Sequence, residues 1–262
     1  MRARRSFFSA DSPTLAQRLL GATLVRVLDD GARLAGVIVE TEAYIGPEDT
    51  CAHSVGGRRT ERTEPMYAKP GTAYVYFTYG MHHCVNVVAG EVNQPVAVLI
   101  RALEPTEGLD IMRALRSGVT PDSLSHGGGG FQPPHASNEH QGRGGKMSPP
   151  PKGRQAVGGA NRSRILRDTD LCSGPGKICQ ALAIDRSLSG IDLTNDPRLF
   201  VEPSRAGPID PVNLVNDARI GVGDADEWAR APLRWHVRGN PHVSVVRTPR
   251  SGVRKRPRVN RE

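Results

Sequence analysis

Residues 22–44 read ATLVRVLDDGARLAGVIVETEAY, and the fold class turns on them. Two apolar, β-branched runs flank the turn residues Asp29, Asp30 and Gly31, the pattern of a β-hairpin. Strand alternation in the second run sets Ile38, Glu40, Glu42 and Tyr44 on one face and Val37, Val39, Thr41 and Ala43 on the other. Two carboxylates therefore interrupt a face that should otherwise be packed. A carboxylate beside an aromatic ring at a strand end suits a general base, because partial burial raises its pKa toward the working range. A pair of edge glutamates satisfied by arginines is the competing reading.

Working outward, the segment before the hairpin predicts a short helix. Ser12 serves as N-cap, Pro13 fits the first helical position, Leu15, Leu19 and Leu20 give an apolar face, and Gly21 stops it. After the hairpin, AYVYFTY, HCVNVV and PVAVLIRAL are further β-rich runs, separated by Gly80 and by a turn from Gly90 to Pro95. A helix is predicted from about Thr106 to Arg116. Later, Ser173 as N-cap and Pro175 in the first turn open a helix over KICQALAI, and short strands recur near ARIGV and PLRWHV. This order predicts an α+β fold, a single compact domain with a mainly antiparallel β core and peripheral helices.

The chain has 262 residues, enough to bury a substantial core. Hydrophobic residues make up 37% and charged residues 24%, which fits neither a membrane protein nor a wholly disordered chain. No run approaches the length of a membrane span, and MRARRSFFSADSP lacks the apolar stretch of a secretory signal, so a soluble intracellular protein is expected. Cys51, Cys84, Cys172 and Cys179 have neither disulfide-framework nor C-x-x-C spacing and read as reduced, mostly buried thiols.

The net charge is +8, but its placement is uneven. Residues 1–5, 117–162 and 247–262 carry +3, +3 and +6, which leaves −4 on the remainder. Basic arms raise non-specific affinity for a polyanion in a salt-dependent way. The sequence therefore divides into a basic arm (1–11), a domain (12–246) and a basic tail (247–262). Gly and Pro supply 17 of the 46 residues at 117–162, which predicts a disordered insert within the domain. The run from Arg254 to Arg258 reads either as a nuclear-import signal or as a solvated tail.

Several other positions suit chemistry. His53 lies in a loop with Gly56, Gly57, Arg58 and Arg59, where amides and guanidinium groups can meet a phosphate; a structural histidine is the plainer reading. Tyr74, Tyr76 and Tyr79 fall within six residues, with Tyr74 and Tyr76 on one face and Tyr79 opposite or at the next turn. Such rings are usually core, but near a carboxylate they also form a stacking slot for a nucleobase. SGPGK, with Ser173, Gly174 and Lys177, offers helix-start amides and a cation to a phosphate. His82 and His83 point opposite ways on a strand and match no metal-ligand spacing.

Taken together, RLLGATLV, GVIVETEAYIGPEDTCAHSVGGRRT, KPGTAYVYFTYGMHHCVNV, LIRALEP, LCSGPGKICQALAI and PLRWHVRGNPHVSVV resemble the alkyladenine (3-methyladenine) DNA glycosylase family, from about Leu15 to Val246. The resemblance implies a monofunctional base-excision-repair hydrolase that flips 3-methyladenine, 7-methylguanine, hypoxanthine or ethenoadenine out of duplex DNA and leaves an abasic site. Glu42 is similar to the family's general base, and Arg101 to an arginine near the attacking water. Tyr44, His53, Tyr76 and Asn86 resemble the base pocket, Tyr79 and Met81 the residues inserted into the duplex. Arg58, Thr60, Ser173, Gly174 and Lys177 match positions expected on the DNA backbone. No cofactor or metal is implied, the partner is double-stranded DNA, and a monomer is expected, in the nucleus of a eukaryote or otherwise in the cytoplasm and nucleoid. His82 and His83 depart from the aromatic pair often found after the Tyr-Gly-Met. A non-catalytic damage binder and, more weakly, a metal-dependent hydrolase using His53, His82 and His83 are the readings from other classes.

Overall fold

The long strand β2 (Arg33–Tyr44) is paired along both edges and organises the rest. On one edge it meets β5 (Ala97–Glu107); on the other its first half pairs with β1 (Thr23–Val27) and its second half with β8 (Arg234–Val237). The remaining strands extend the sheet: β3 (Ala73–Thr78) and β4 (His82–Val88) beyond β5, β6 (Leu199–Glu202) beyond β1, and β7 (Leu214–Asp217) beyond β8. Every pairing is antiparallel, as the hairpin-rich sequence predicts. The computed structural model describes residues 1–121, 123, 166–223 and 226–244. Most of the insert predicted at 117–162, and all of the tail at 247–262, lie outside the described residues.

Short helices flank the sheet, among the described residues α1 (Arg5–Phe8), α2 (Ser12–Leu19), α3 (Leu109–Arg116), α4 (Asp168–Leu171), α5 (Pro175–Ala181) and α6 (Glu227–Arg230). Leu15, Ala16 and Leu19 of α2 are fully buried and join Ile38, Ala43, Val85, Ile100 and Leu103 of the sheet in one large core. This arrangement is the single α+β domain expected. α2 also fixes the far end of β2: Thr41 Oγ1 donates to the Ala16 carbonyl at 2.9 Å and Ser12 Oγ to the Tyr44 carbonyl at 3.0 Å. α3 and α4 are tied by an ion pair between Arg113 and Asp168 and by Arg116 Nη1, which donates to the Asp170 carbonyl at 3.0 Å.

Four local expectations are corrected. Asp11, not Ser12, caps α2, accepting from the Thr14 amide at 2.8 Å, because Ser12 turns its hydroxyl to Tyr44. The predicted helix at Thr106 starts at Leu109, since β5 runs on to Glu107 and Gly108 makes the turn at φ +75°, where an added Cβ would lie 2.9 Å from the Arg33 carbonyl. Gly174 rather than Ser173 is the N-cap residue of α5, with Pro175 its first residue. The strand expected near ARIGV falls just before it, at Leu214–Asp217, while Ile220–Val222 turn inward.

Alternation along β2 also fails at one point. Val39 is an extra residue opposite β5, and Arg101 is an extra residue opposite β2, so two bulges offset one another and the register is restored at Thr41–Ile100. Ile38 consequently packs in the core with Ala43 and not beside Glu40 and Glu42. Downstream of Val39 the predicted alternation holds: Thr41 and Ala43 face α2 and the core, while Tyr44 lines a cavity on the other side.

Candidate active site

The cavity on that side holds about 360 Å³ and is walled by Tyr44 from β2, His53 from the following loop, Tyr76 from β3, Asn86 from β4 and Arg101 from β5. Glu42 lies immediately behind this wall, fully buried. Its Oε1 accepts from the Ile220 amide at 2.7 Å and stands 3.1 Å from Arg101 Nη1, and its Oε2 accepts from the Tyr44 hydroxyl at 3.2 Å. Burial raises the Glu42 pKa above the usual carboxylate range, opposed mainly by the Arg101 guanidinium and the Ile220 amide. The Arg101 bulge thus delivers a cation that, with the Ile220 amide, opposes the effect of burial on the carboxylate.

Glu40 continues the network away from the cavity. Its Oε1 lies 3.4 Å from Arg101 Nε and accepts from Arg234 Nη1 at 3.0 Å, and its Oε2 accepts from the Ser244 amide at 2.8 Å. Arg234 in turn pairs with Asp217 at 3.0 Å. Both glutamates of ETE are thus paired with arginines, and Glu42 is the one that lies beside the aromatic cavity.

The aromatic wall is built by hydrogen bonds and ring contacts. His53 Nδ1 is 2.8 Å from the Tyr74 hydroxyl, and its ring meets Tyr76 edge-on with centroids 4.5 Å apart. Burial, reinforced by nearby Arg62, lowers the His53 pKa to about 4, so the ring is neutral at neutral pH. Asn86 Nδ2 donates to the Tyr74 carbonyl at 3.1 Å, which fixes the amide against the strand. Burial raises the Tyr44 and Tyr76 hydroxyl pKa values, so both rings stay protonated and uncharged.

At the rim, the β3–β4 hairpin ends in Tyr79, 80% exposed and held at φ +51°, a left-handed conformation rare for a bulky residue. Met81 stands next to it, also exposed but outside the cavity. Arg58 and Thr60 lie on the exposed loop after His53, away from the cavity wall. Ser173 and Gly174 precede α5, whose Pro175 reaches the cavity; Lys177 Nζ donates to Ser173 Oγ at 2.9 Å. His82 packs against Gly176 of α5.

Sequence reasoning did not anticipate the wall formed by Ile220, Gly221 and Val222, nor the fully buried Asp49–Arg219 ion pair behind Tyr44. Arg219 makes two hydrogen bonds to that carboxylate, at 2.6 and 2.8 Å, and its guanidinium stacks 4.7 Å from the centre of the Tyr44 ring. These partners are some 170 residues apart in the chain, so no local spacing betrays them. Cys51 and Cys84 also border the cavity. Among the described residues, no group of three or more His, Cys, Asp or Glu is placed to hold a metal ion, and no helix is long and apolar enough to cross a membrane.

The sequence model of the methylpurine-DNA glycosylase family matches residues 6–133 and 148–241. The chain is similar to the DNA-3-methyladenine glycosylase of Homo sapiens, 45% identical over 240 residues, which covers 92% of this chain and 67% of the relative. It is 44% identical to that of Mus musculus, spanning 60% of the relative's length. A putative 3-methyladenine DNA glycosylase of Desulfitobacterium hafniense is 38% identical and is covered over 98% of its length. The matched ranges contain every cavity residue named above. The chain belongs to the methylpurine-DNA glycosylase family, hydrolases of N-glycosyl bonds that act in DNA repair.

Proposed function

We propose that this chain is a monofunctional base-excision glycosylase that extrudes an alkylated or deaminated purine from duplex DNA and hydrolyses its N-glycosidic bond with a water activated by Glu42. The substrates in view are 3-methyladenine, 7-methylguanine, hypoxanthine and ethenoadenine. The observation that supports this reading best is a buried carboxylate, paired with Arg101, directly behind an aromatic cavity whose rim bears the exposed Tyr79.

A base inside a duplex is out of reach of any enzyme group, so the nucleotide must leave the stack. Stacking on Tyr44, Tyr76 and His53 offsets part of that cost, and Tyr79, with Met81 beside it, fills the gap left behind. Asn86 presents a fixed amide to one edge of the base and so discriminates among exocyclic groups. Arg58, Thr60, Ser173, Gly174 and Lys177 face the flanking backbone. In Glu42, Oε1 is already engaged by Ile220 and Arg101, so the water is taken by Oε2 as it loosens from the Tyr44 hydroxyl. The carboxylate removes the water's proton as the new C–O bond forms and the purine leaves with the glycosidic electron pair. Its negative charge also stabilises the oxocarbenium-like sugar. The enzyme acts as a monomer, needs no metal for this chemistry, and works where chromosomal DNA lies, in a nucleus or a nucleoid.

Single-turnover base release from a duplex carrying one damaged purine, with chelator present, tests the reading. Strand breaks that appear only after alkali are expected. Lesion binding without release from any of the four substrates would instead make the chain a damage binder.

A further inference from the structure

Three arginines stand in or behind the cavity wall, and they are not balanced alike. Arg101 is matched by Glu42 and Glu40, and Arg219, behind Tyr44, by Asp49. Arg62, behind Tyr76, forms no ion pair among the described residues. Its guanidinium lies 5.3 Å from the centre of the Tyr76 ring, and its Nη2 is 3.5 Å from His53 Nε2. Arg62 does not line the catalytic cavity; it lines an adjoining one, with Tyr76 as the shared partition. The ring therefore borders the cavity while an arginine without an ion-pair partner lies over it.

We propose that Arg62 is a specificity-determining residue that lowers the pocket's preference for cationic alkylpurines and keeps neutral purines competitive. The inference rests on the proposed function, since it takes Tyr76 as a base-stacking wall. A purine alkylated at a ring nitrogen carries positive charge and is drawn to the electron-rich faces of Tyr44 and Tyr76. A guanidinium over Tyr76 already draws on that ring's quadrupole and repels a second cation at the ring. A neutral purine loses no such charge interaction and keeps its stacking and dispersion. The second wall offers no similar bias, because Asp49 neutralises Arg219. Arg62 also supports the neutral state of His53, whose protonation would add another cation to the same wall. Arg62 is exposed to solvent, so screening limits the bias to a modest factor.

Single-turnover release of 7-methylguanine is compared with release of hypoxanthine and of ethenoadenine, each in the same duplex context, for the native protein, Arg62→Leu and Arg62→Lys. The ratio of cationic to neutral base release should rise about fivefold in Arg62→Leu, the order of a single exposed cation–π contact, and stay near the native value in Arg62→Lys. Equal changes for all three bases would mark Arg62 as a phosphate contact and overturn the inference. A native protein that releases 7-methylguanine but neither neutral base would overturn it as well. Failure of the native protein to release any of the three would instead defeat the glycosylase reading, so the two failures are distinguishable.

Discussion

Arg101 sits at the bulge of β5 and meets Glu42 at 3.1 Å, with Glu42 fully buried and Arg101 bordering the cavity. The carboxylate is thus held where its charge is costly without the arginine and useful with it.

Replacing Glu42 by Gln keeps the shape and removes the base. Base release should fall about 10²- to 10⁴-fold, the usual worth of a positioned general base, while binding to a lesion duplex persists. Quench-flow or gel-based single-turnover rates, set beside binding titrations of the same variant, measure both; near-native release would refute the role of Glu42.

The Asp49–Arg219 pair is a stability prediction. Asp49→Asn leaves a buried guanidinium without its counter-charge, and losing one partner of such a pair costs about 3–5 kcal/mol. Urea unfolding should show a lower midpoint with an unchanged slope, and a midpoint equal to that of the native chain would show that the pair contributes nothing net.

His53 gives the protein an acid-sensitive term. Its pKa falls from an ordinary 6.5 to about 4 on folding, so between those values the unfolded chain binds the additional proton. Stability from this group is present above 6.5 and is lost as pH drops toward 4. In His53→Gln the decline in melting temperature between pH 7 and pH 5 should be shallower than in the native protein; an identical decline would rule out this origin.

Tyr79 separates recognition from folding. Its ring is largely exposed, so Tyr79→Ala should leave the melting temperature within about a degree or two, as surface substitutions usually do. Affinity for a lesion duplex should drop severalfold, because nothing then fills the vacated stack. A variant that binds the lesion as tightly as the native chain would remove Tyr79 from the interface.

The fold was legible where local pattern decides it. The hairpin, the β-rich runs and the placement of Tyr74 and Tyr76 on one face follow from alternation and turn residues alone. Helix ends were less legible, since Asp11 outcompetes Ser12 only through a tertiary bond from Ser12 to Tyr44. Within the site, Glu42, Tyr44, His53 and Tyr76 share short motifs, whereas Asp49 meets Arg219, Glu40 meets Arg234 and Glu42 meets Ile220 across most of the chain. Such pairings are set by sheet topology, which a linear reading does not contain. The offsetting bulges at Val39 and Arg101 were likewise hidden, because neither residue type announces an unpaired position.

The arginine ties hold the end of α3 to α4 through Arg113 and Arg116, although the two helices are some 50 residues apart in the chain. Once two ends are pinned, doubling the length of the connecting chain adds only about 0.6 kcal/mol of closure entropy. A fluorescent or affinity module spliced in between these two helices is therefore expected to leave untouched the strand register that sets Glu42 against Arg101.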